Sequence, residues 1–242
     1  MKRMRPLIQA VGWDLDDTLY DRNLPYLAVY QYMEENVIET GIGFETFNYF
    51  YQMNSDIEFR RYTDGQASVD QYRNNRVLMT YAQFGFTIKK KDAILFNQKY
   101  EEAKEDIVLR PGAKACLDLL QEAGVQLFLL TNGPAQQAHK VDLLGLEDYF
   151  DAKNTFISSQ MGTAKPAKEI FQKVEESLDL NPATTLYIGD NYEADMLGAT
   201  HAGWQGLFLN VHHKKAEDIE DKIPVCEDME AVYDFLSQAE LN

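Results

Sequence analysis

The chain of 242 residues is 45% hydrophobic and 26% charged, which is ordinary for a soluble globular protein and allows one large domain or two modest ones. Its formal net charge of −16 would repel nucleic-acid backbones and anionic membranes, so neither a nucleic-acid polymer nor a membrane is an expected partner. No apolar run approaches the ~20 residues that a membrane-spanning helix needs.

The first clear element is an apolar run from Leu7 to Trp13, which follows a short basic segment, Met1 to Arg5. This run is short and continues directly into acidic residues, so it predicts a buried strand rather than a signal peptide. The two cysteines, Cys116 and Cys226, lie far apart and have no motif around them. Two buried free thiols in a reducing compartment are the simplest interpretation, and we expect a cytoplasmic protein.

Three carboxylates, Asp14, Asp16 and Asp17, follow this strand within four positions. In open α/β sheets, ligands bind at the carboxyl ends of the strands. Carboxylates crowded together need a positive counter-charge, and Mg²⁺ prefers carboxylate oxygens, waters and a substrate phosphate. Taken alone, the same three residues also fit a solvated turn or a helix cap.

Residues 21–108 contain no convincing strand. Apolar residues recur there at helical spacing and predict four helices. Breaks are predicted at Gly41 to Gly43, at Asp64-Gly65 and at Gly85, and Ser68 is a predicted N-cap. The block therefore reads as an all-helical insert within a domain made from residues 1–20 and 109–242.

From Arg110 onward, helices and apolar strands alternate. This alternation predicts a Rossmann-like parallel sheet with helices on both faces, an α/β fold carrying an inserted helical-bundle cap domain. A helix is also predicted to start at Lys165-Pro166, with the proline in its first turn. The other predicted strands are 125–130, 154–157, 185–188 and 205–209, and the other predicted helices are 113–122, 135–144, one carrying Asp195, and 230–236.

Polar residues recur where these elements begin or end. Thr131 follows strand 125–130 and is suited to hold a phosphoryl oxygen, although Thr-Asn-Gly is also a common turn. Lys165 at a helix start opposes the helix dipole, and neutralising an anionic site would be a reason for its position, although a lone surface lysine is the commoner case. Asp190 and Asp195 suit metal binding, with N-capping as the competing explanation.

In order, these segments resemble the four-motif signature of the haloacid dehalogenase (HAD) superfamily. The resemblance covers the whole sheet domain, and the insert between the first and second motifs is similar to the helical-cap subgroup. The sequence from Asp14 to Asp21 also resembles the first motif of the branch that contains nucleoside monophosphatases (5'-nucleotidases). The segments are Asp14-x-Asp16-x-Thr18, Thr131, Lys165-Pro166, and Gly189-Asp190 with Asp195.

The resemblance implies catalytic roles for three residues. Asp14 would be the nucleophile that forms an aspartyl-phosphate. Asp16 would protonate the leaving alkoxide and later activate water. Lys165 would offset the negative charge of Asp14 and of the phosphate, because phosphoryl transfer depends mostly on positioning and charge stabilisation.

The resemblance also implies a metal and a phosphate site. Thr131 and the amide of Asn132 would hold the phosphoryl group. Mg²⁺ would be bound by Asp14, by the backbone carbonyl of Asp16 and by Asp190, with Asp195 as a ligand or just behind the ligands.

Several functions share this fold. Dehalogenases typically lack the second aspartate of the first motif, so Asp16 disfavours them. Phosphomutases and a non-catalytic binding protein on the same fold stay as alternatives. The preferred prediction is a Mg²⁺-dependent phosphatase, a phosphoric monoester hydrolase acting on a small phosphorylated metabolite, as a monomer or homodimer. A nucleoside 5'-monophosphate is one candidate substrate, and small sugar or glycolate phosphates are others.

Substrate choice is assigned to the cap. Its many aromatic residues fit either a nucleobase-stacking surface or simply the core between cap helices. The turn from Thr63 to Gln66, with Arg60, Arg61, Arg73 and Arg76 nearby, is a candidate specificity loop.

Overall fold

The computed structural model describes residues 7–215 and 222–241. The described chain forms two compact units. The core unit comprises Met1–Asp21 and Val108–Asn242, and the helical unit comprises Arg22–Ile107. Each unit contains its own cluster of buried apolar side chains. The basic segment from Met1 to Arg5 lies outside the described residues.

A six-stranded, all-parallel sheet forms the centre of the core unit, with the strand order β4-β3-β2-β5-β6-β7. A separate parallel pair joins β1 to β8. The parallel sheet predicted from the apolar runs is therefore confirmed. The strands are β1 (Leu7–Ile8), β2 (Ala10–Trp13), β3 (Gln126–Thr131), β4 (Thr155–Ile157), β5 (Thr185–Gly189), β6 (Gln205–Leu209), β7 (Val225–Cys226) and β8 (Glu240–Leu241).

The apolar run predicted as one strand is in fact two. Leu7 and Ile8 pair with the C-terminal strand β8, whereas Ala10 to Trp13 lie between β3 and β5. The sequence could not show this division, because a two-residue strand has no periodicity of its own.

Gly12 allows close packing at the middle of β2. A Cβ there would lie 2.3 Å from a ring atom of Phe128 and 2.8 Å from one of Tyr187. The two aromatic rings, carried by the neighbouring strands, therefore occupy the space beside the glycine. All four residues of β2 are buried, and this strand delivers Asp14 to the end of the sheet.

The helical unit consists of four helices, as predicted: α1 (Leu24–Asn36), α2 (Phe44–Thr63), α3 (Val69–Gln83) and α4 (Lys90–Ala103), followed by a 3₁₀ turn (Lys104–Asp106). Ser68 caps α3 as predicted. Its hydroxyl accepts the N–H of Gln71 at 3.2 Å, and the Gln71 side chain accepts the N–H of Ser68 at 2.8 Å. This reciprocal pair satisfies two backbone donors at the helix start.

The aromatic residues of the helical unit largely form its core. Phe47, Tyr51 and Phe96 are buried and lie in ring contact, so the core interpretation holds for them. Arg76 is also buried, with its guanidinium 4.8 Å from the ring centroid of Tyr72 and 5.1 Å from that of Tyr51. Arg76 thus belongs to the interior of this unit. The sequence had grouped it with the turn from Thr63 to Gln66, the candidate specificity loop.

The helices of the core unit are α5 (Ala113–Glu122), α6 (Gln137–Leu143), α7 (Ser158–Met161), α8 (Lys168–Leu178), α9 (Gly198–Ala202) and α10 (Met229–Gln238). A 3₁₀ turn (Pro182–Thr184) precedes β5, and a wide π-type turn (Tyr192–Leu197) precedes α9. The predicted start of α8 was wrong. Its N-cap is Ala167, so Lys165 and Pro166 belong to the preceding loop.

Both cysteines are buried and free. No helix among residues 7–215 and 222–241 combines the length and apolarity needed to cross a membrane.

Candidate active site

Three adjacent strands bring the first candidate residues to one edge of the sheet. Asp14 directly follows β2, Thr131 is the last residue of β3, and Asp190 directly follows β5. These strands are neighbours in the order β3-β2-β5. Because they are parallel, their carboxyl ends share an edge, which is where open α/β sheets bind ligands.

A tight turn follows Asp14. Asp17 adopts a left-handed conformation with φ of 63°, which aspartate tolerates better than most residues. Arg110 holds this turn by donating its Nε–H to the carbonyl of Asp17 at 3.1 Å. The turn returns the buried hydroxyl of Thr18 to the acidic site, 3.0 Å from Oδ1 of Asp190 and 3.3 Å from Oδ2 of Asp14.

Lys165 supplies a buried positive charge. Its Nζ donates to Oδ1 of Asp14 at 2.7 Å, to Oδ1 of Asp195 at 2.7 Å and to the hydroxyl of Tyr187 at 2.8 Å. The side chain is 2% exposed, so all three ammonium donors are used inside the protein. Burial lowers the pKa of Lys165, but Asp14 and Asp195 outweigh it and raise that pKa well above its usual value.

Asp14, Asp190 and Asp195 form an acidic cluster that could bind a metal ion. One carboxylate oxygen from each lies within 4.8 Å of the others. Burial, opposed by Lys165 and reinforced by the charges of Asp195 and Asp190, raises the pKa of Asp14 to about 8. Three carboxylates this close together present several hard oxygen donors to one point, and such donors fit a divalent cation such as Mg²⁺.

The absence of a side chain at Gly189 makes room for this cluster. A Cβ there would lie 2.3 Å from Oδ2 of Asp195. That same oxygen accepts the backbone N–H of Asn191 at 2.9 Å. Asp195 is therefore fixed on one side by a backbone donor and on the other by Lys165.

The carboxylate of Asp16 lies in a different environment. It accepts Lys140 Nζ at 2.5 Å on Oδ1 and Gln137 Nε2 at 2.9 Å on Oδ2, and the hydroxyl of Tyr20 also donates to Oδ1. Its side chain is not in the group formed by the other three aspartates. The predicted contribution of Asp16 to a metal site would therefore fall to its backbone carbonyl.

Thr131 and Asn132 differ in what their side chains do. The buried hydroxyl of Thr131 accepts Gln137 Nε2 at 2.9 Å. The side chain of Asn132 instead binds the backbone of Lys165, accepting its N–H at 3.0 Å and donating to its carbonyl at 2.9 Å. Asn132 thus connects the end of β3 to the loop that carries Lys165.

Sequence reasoning missed four contributors to the site: Gln137, Lys140, Tyr187 and His212. His212 Nε2 lies 3.0 Å from Oδ2 of Asp190, and hydrogen bonding to Asp17 and Asp190 raises the pKa of His212 to about 9. A signal existed for Gln137 and Lys140, which lie three residues apart on the helix that follows Thr131. None existed for His212, because its position depends on the path of the loop after β6.

Residues 8–203 match the family described as haloacid dehalogenase-like hydrolase. The chain therefore belongs to this family, as the four motifs predicted. The ribulose-1,5-bisphosphate 5-phosphatase of Halopiger xanaduensis is 35% identical over 211 residues, which cover 83% of this chain and 84% of that protein. The pyrimidine 5'-nucleotidase PynA of Streptococcus pneumoniae is 30% identical over 210 residues, covering 83% of each.

A solved relative shows the same architecture. The putative HAD-hydrolase YfnB of Bacillus subtilis, crystallised with bound magnesium, is 26% identical with a TM-score of 0.68, over 95% of this chain and 99% of that one. The fold prediction and the prediction of an enzyme of the phosphoric monoester hydrolase class are confirmed by the family and by these relatives.

Proposed function

We propose that this chain is a Mg²⁺-dependent phosphatase that hydrolyses a small phosphorylated metabolite through an aspartyl-phosphate on Asp14. The observation that carries the proposal is the buried contact of Lys165 Nζ with both Asp14 and Asp195, 2.7 Å from each. Burying a lysine and two carboxylates from three separate segments removes their charges from water, which is costly. Such a buried group is therefore more typical of a functional site than of a purely structural contact.

In the first step, a carboxylate oxygen of Asp14 attacks phosphorus, and the bond from phosphorus to the leaving oxygen breaks. Lys165 holds Oδ1 of Asp14, and Thr18 lies beside Oδ2, so the nucleophile is fixed in one orientation. Asp16, in its protonated form, would give its proton to the departing alkoxide. The products are an alcohol and the phosphorylated aspartate.

In the second step, Asp16 takes a proton from water, and the water oxygen attacks phosphorus. The bond between phosphorus and Asp14 breaks, which releases inorganic phosphate and restores the carboxylate. Thr131 would donate to a phosphoryl oxygen, and Lys165 would offset the charge that develops. Asp16 is then protonated again, by a proton from water that replaces the one given to the alcohol.

Asp14, Asp190 and the backbone carbonyl of Asp16 would hold Mg²⁺, with Asp195 as a further ligand or just behind them. When bound, the ion supplies positive charge that keeps Asp14 ionised and offsets the charge of the phosphate.

The substrate is a small phosphate monoester. Nucleoside 5'-monophosphates and sugar phosphates are both candidates, because relatives of similar identity are named for one and for the other. Turnover of p-nitrophenyl phosphate, followed by a panel of nucleotides and sugar phosphates with Mg²⁺, tests the proposal. No turnover of any monoester would instead favour the non-catalytic alternative.

Removal of divalent cations is expected to abolish this activity. Dialysis against EDTA should lower turnover of p-nitrophenyl phosphate by ~10²-fold or more, since a bound cation contributes several kcal/mol of charge stabilisation. Adding Mg²⁺ should restore the rate, and an unchanged circular dichroism spectrum would show that the fold survived. Full activity in EDTA would refute the metal assignment.

A further inference from the structure

The side chain of Gln137 connects two groups that the proposed reaction uses separately. Its Nε2 lies 2.9 Å from Oδ2 of Asp16 and 2.9 Å from Oγ1 of Thr131. Gln137 is 3% exposed and lies in the first turn of α6. A glutamine amide nitrogen has two hydrogens, so it can donate to both oxygens at once.

We propose that Gln137 is a positioning residue that couples the acid–base carboxylate of Asp16 to the phosphate-binding hydroxyl of Thr131, with Lys140 holding the other oxygen of Asp16. This inference rests on the proposed phosphatase function. It assigns the helix after the second motif a part in the chemistry beyond supporting the sheet.

The direction of the Thr131 hydroxyl follows from this contact. Its oxygen accepts a hydrogen from Gln137, so its own hydrogen must point elsewhere. Among residues 7–215 and 222–241, the alternative acceptor is the carbonyl of Asn132, which is 3.5 Å away and therefore long for an O–H···O bond. The Thr131 proton is therefore left to donate to a phosphoryl oxygen, whereas without Gln137 the hydroxyl could turn to other acceptors.

The carboxylate of Asp16 is oriented in the same way. A carboxylate has about four acceptor positions. Within the described residues, Oδ1 receives Lys140 and Tyr20, and Oδ2 receives Gln137. One position remains, on Oδ2, and this oxygen is the one that would exchange a proton with the leaving group and with water.

The position of Gln137 is itself closely packed. A Cβ at Gly133 would lie 2.8 Å from the Cγ of Gln137, so the glycine leaves room for this side chain beside the end of β3. A side chain at position 133 would displace Gln137 from its contacts with Asp16 and Thr131.

Lys140 and Gln137 share Asp16 but differ at Thr131, which separates their expected effects. Gln137→Leu removes both contacts and keeps a similar volume. Lys140→Met removes the contact with Asp16 and the contact of the ammonium group with the ring of Tyr20, and it leaves the contact between Gln137 and Thr131 in place. Gln136→Leu and Lys153→Met are matched controls, because both residues are exposed.

The test compares kcat/KM for an alkyl phosphate with kcat/KM for p-nitrophenyl phosphate, with Mg²⁺ present. The alkoxide needs a proton to leave, whereas p-nitrophenolate does not. In both variants we expect a fall of roughly 10²-fold for the alkyl phosphate, typical of a misplaced catalytic group, and a fall at least ~10-fold smaller for p-nitrophenyl phosphate.

Inhibition by inorganic phosphate separates the effect of Gln137 through Thr131 from its effect through Asp16. Gln137→Leu should raise the inhibition constant by about 5-fold or more, the loss expected for one hydrogen bond of ordinary strength, whereas Lys140→Met should leave it unchanged. In an Asp16→Ala background, Lys140→Met should cost less than ~3-fold on the alkyl phosphate, because effects through one residue are not additive. Gln137→Leu should keep there only the loss that it causes through Thr131.

Equal losses on both substrates in Gln137→Leu, with an unchanged inhibition constant, would reduce Gln137 to a structural role and overturn the inference. The inference would also be overturned if Gln137→Leu had the same kcat/KM values and inhibition constant as the control variant Gln136→Leu. Either result requires an active wild-type enzyme, whereas failure of the wild type to hydrolyse any monoester would overturn the proposed function itself.

Discussion

Replacing Asp14 by asparagine is expected to reduce kcat for phosphate monoesters by roughly 10⁴-fold or more, the scale seen when a nucleophile is removed. An amide cannot form the aspartyl-phosphate, so both steps are lost. The substitution keeps the shape of the side chain, and Lys165 Nζ can still donate to the amide oxygen in place of Oδ1. Binding of inorganic phosphate should therefore change much less than turnover.

Steady-state turnover of p-nitrophenyl phosphate measures this effect. Asp142→Asn is the matched control, because Asp142 is exposed on α6, and it should keep wild-type activity. An Asp14→Asn variant with more than about a tenth of wild-type turnover would rule out a nucleophilic role, since an amide cannot form the aspartyl-phosphate.

Lys165→Met is expected to destabilise the protein as well as to inactivate it. The substitution leaves Asp14 and Asp195 buried without their shared counter-charge, and both carboxyl side chains are at least nine-tenths buried. Removing one partner of a buried ion pair typically costs about 3–5 kcal/mol. Turnover should fall as well, because the charge that offsets the phosphate is lost.

Urea unfolding without metal measures the free energy of unfolding of this variant. Adding Mg²⁺ should recover part of the loss, because a ligand that binds only the folded state stabilises it. Lys168→Met is the matched control, since Lys168 is exposed at the start of α8. A Lys165→Met variant as stable and as active as this control would show that Lys165 does not hold the acidic cluster together.

The longer elements could be predicted because their signals are local. Helix α5 was predicted at 113–122, where the structure has it, because a periodic apolar face ends at Gly124, which adopts a positive φ of 72°. Strand β6 was likewise predicted at 205–209, where the structure has it. The strands β1, β7 and β8 have only two residues each, and their existence depends on partners distant in sequence.

The start of α8 shows a different limit. Proline is common in the first turn of a helix, and Pro166 was placed there for that reason. In the structure the loop runs two residues further before Ala167 caps the helix. Lys165 is thereby free of the helix dipole, and its position is fixed instead by Asn132, Asp14 and Asp195.

The convergence of Asp14, Thr131 and Asp190 could be predicted because it follows from topology. Residues that end neighbouring parallel strands must meet at one edge. The partners of these residues could not be predicted in the same way. Whether Tyr187 reaches Lys165, or Gln137 reaches Asp16, depends on the register of a strand or helix against its neighbours, which one sequence does not reveal.

The most direct test is to identify the residue that carries phosphate during turnover. The enzyme would be mixed with a ³²P-labelled monoester and Mg²⁺, quenched in acid and reduced with borohydride, which converts an aspartyl-phosphate to homoserine. We expect homoserine at position 14, and neither label nor homoserine in Asp14→Asn. A label held by another residue, or turnover with no acid-trappable label at any time, would contradict covalent catalysis by Asp14.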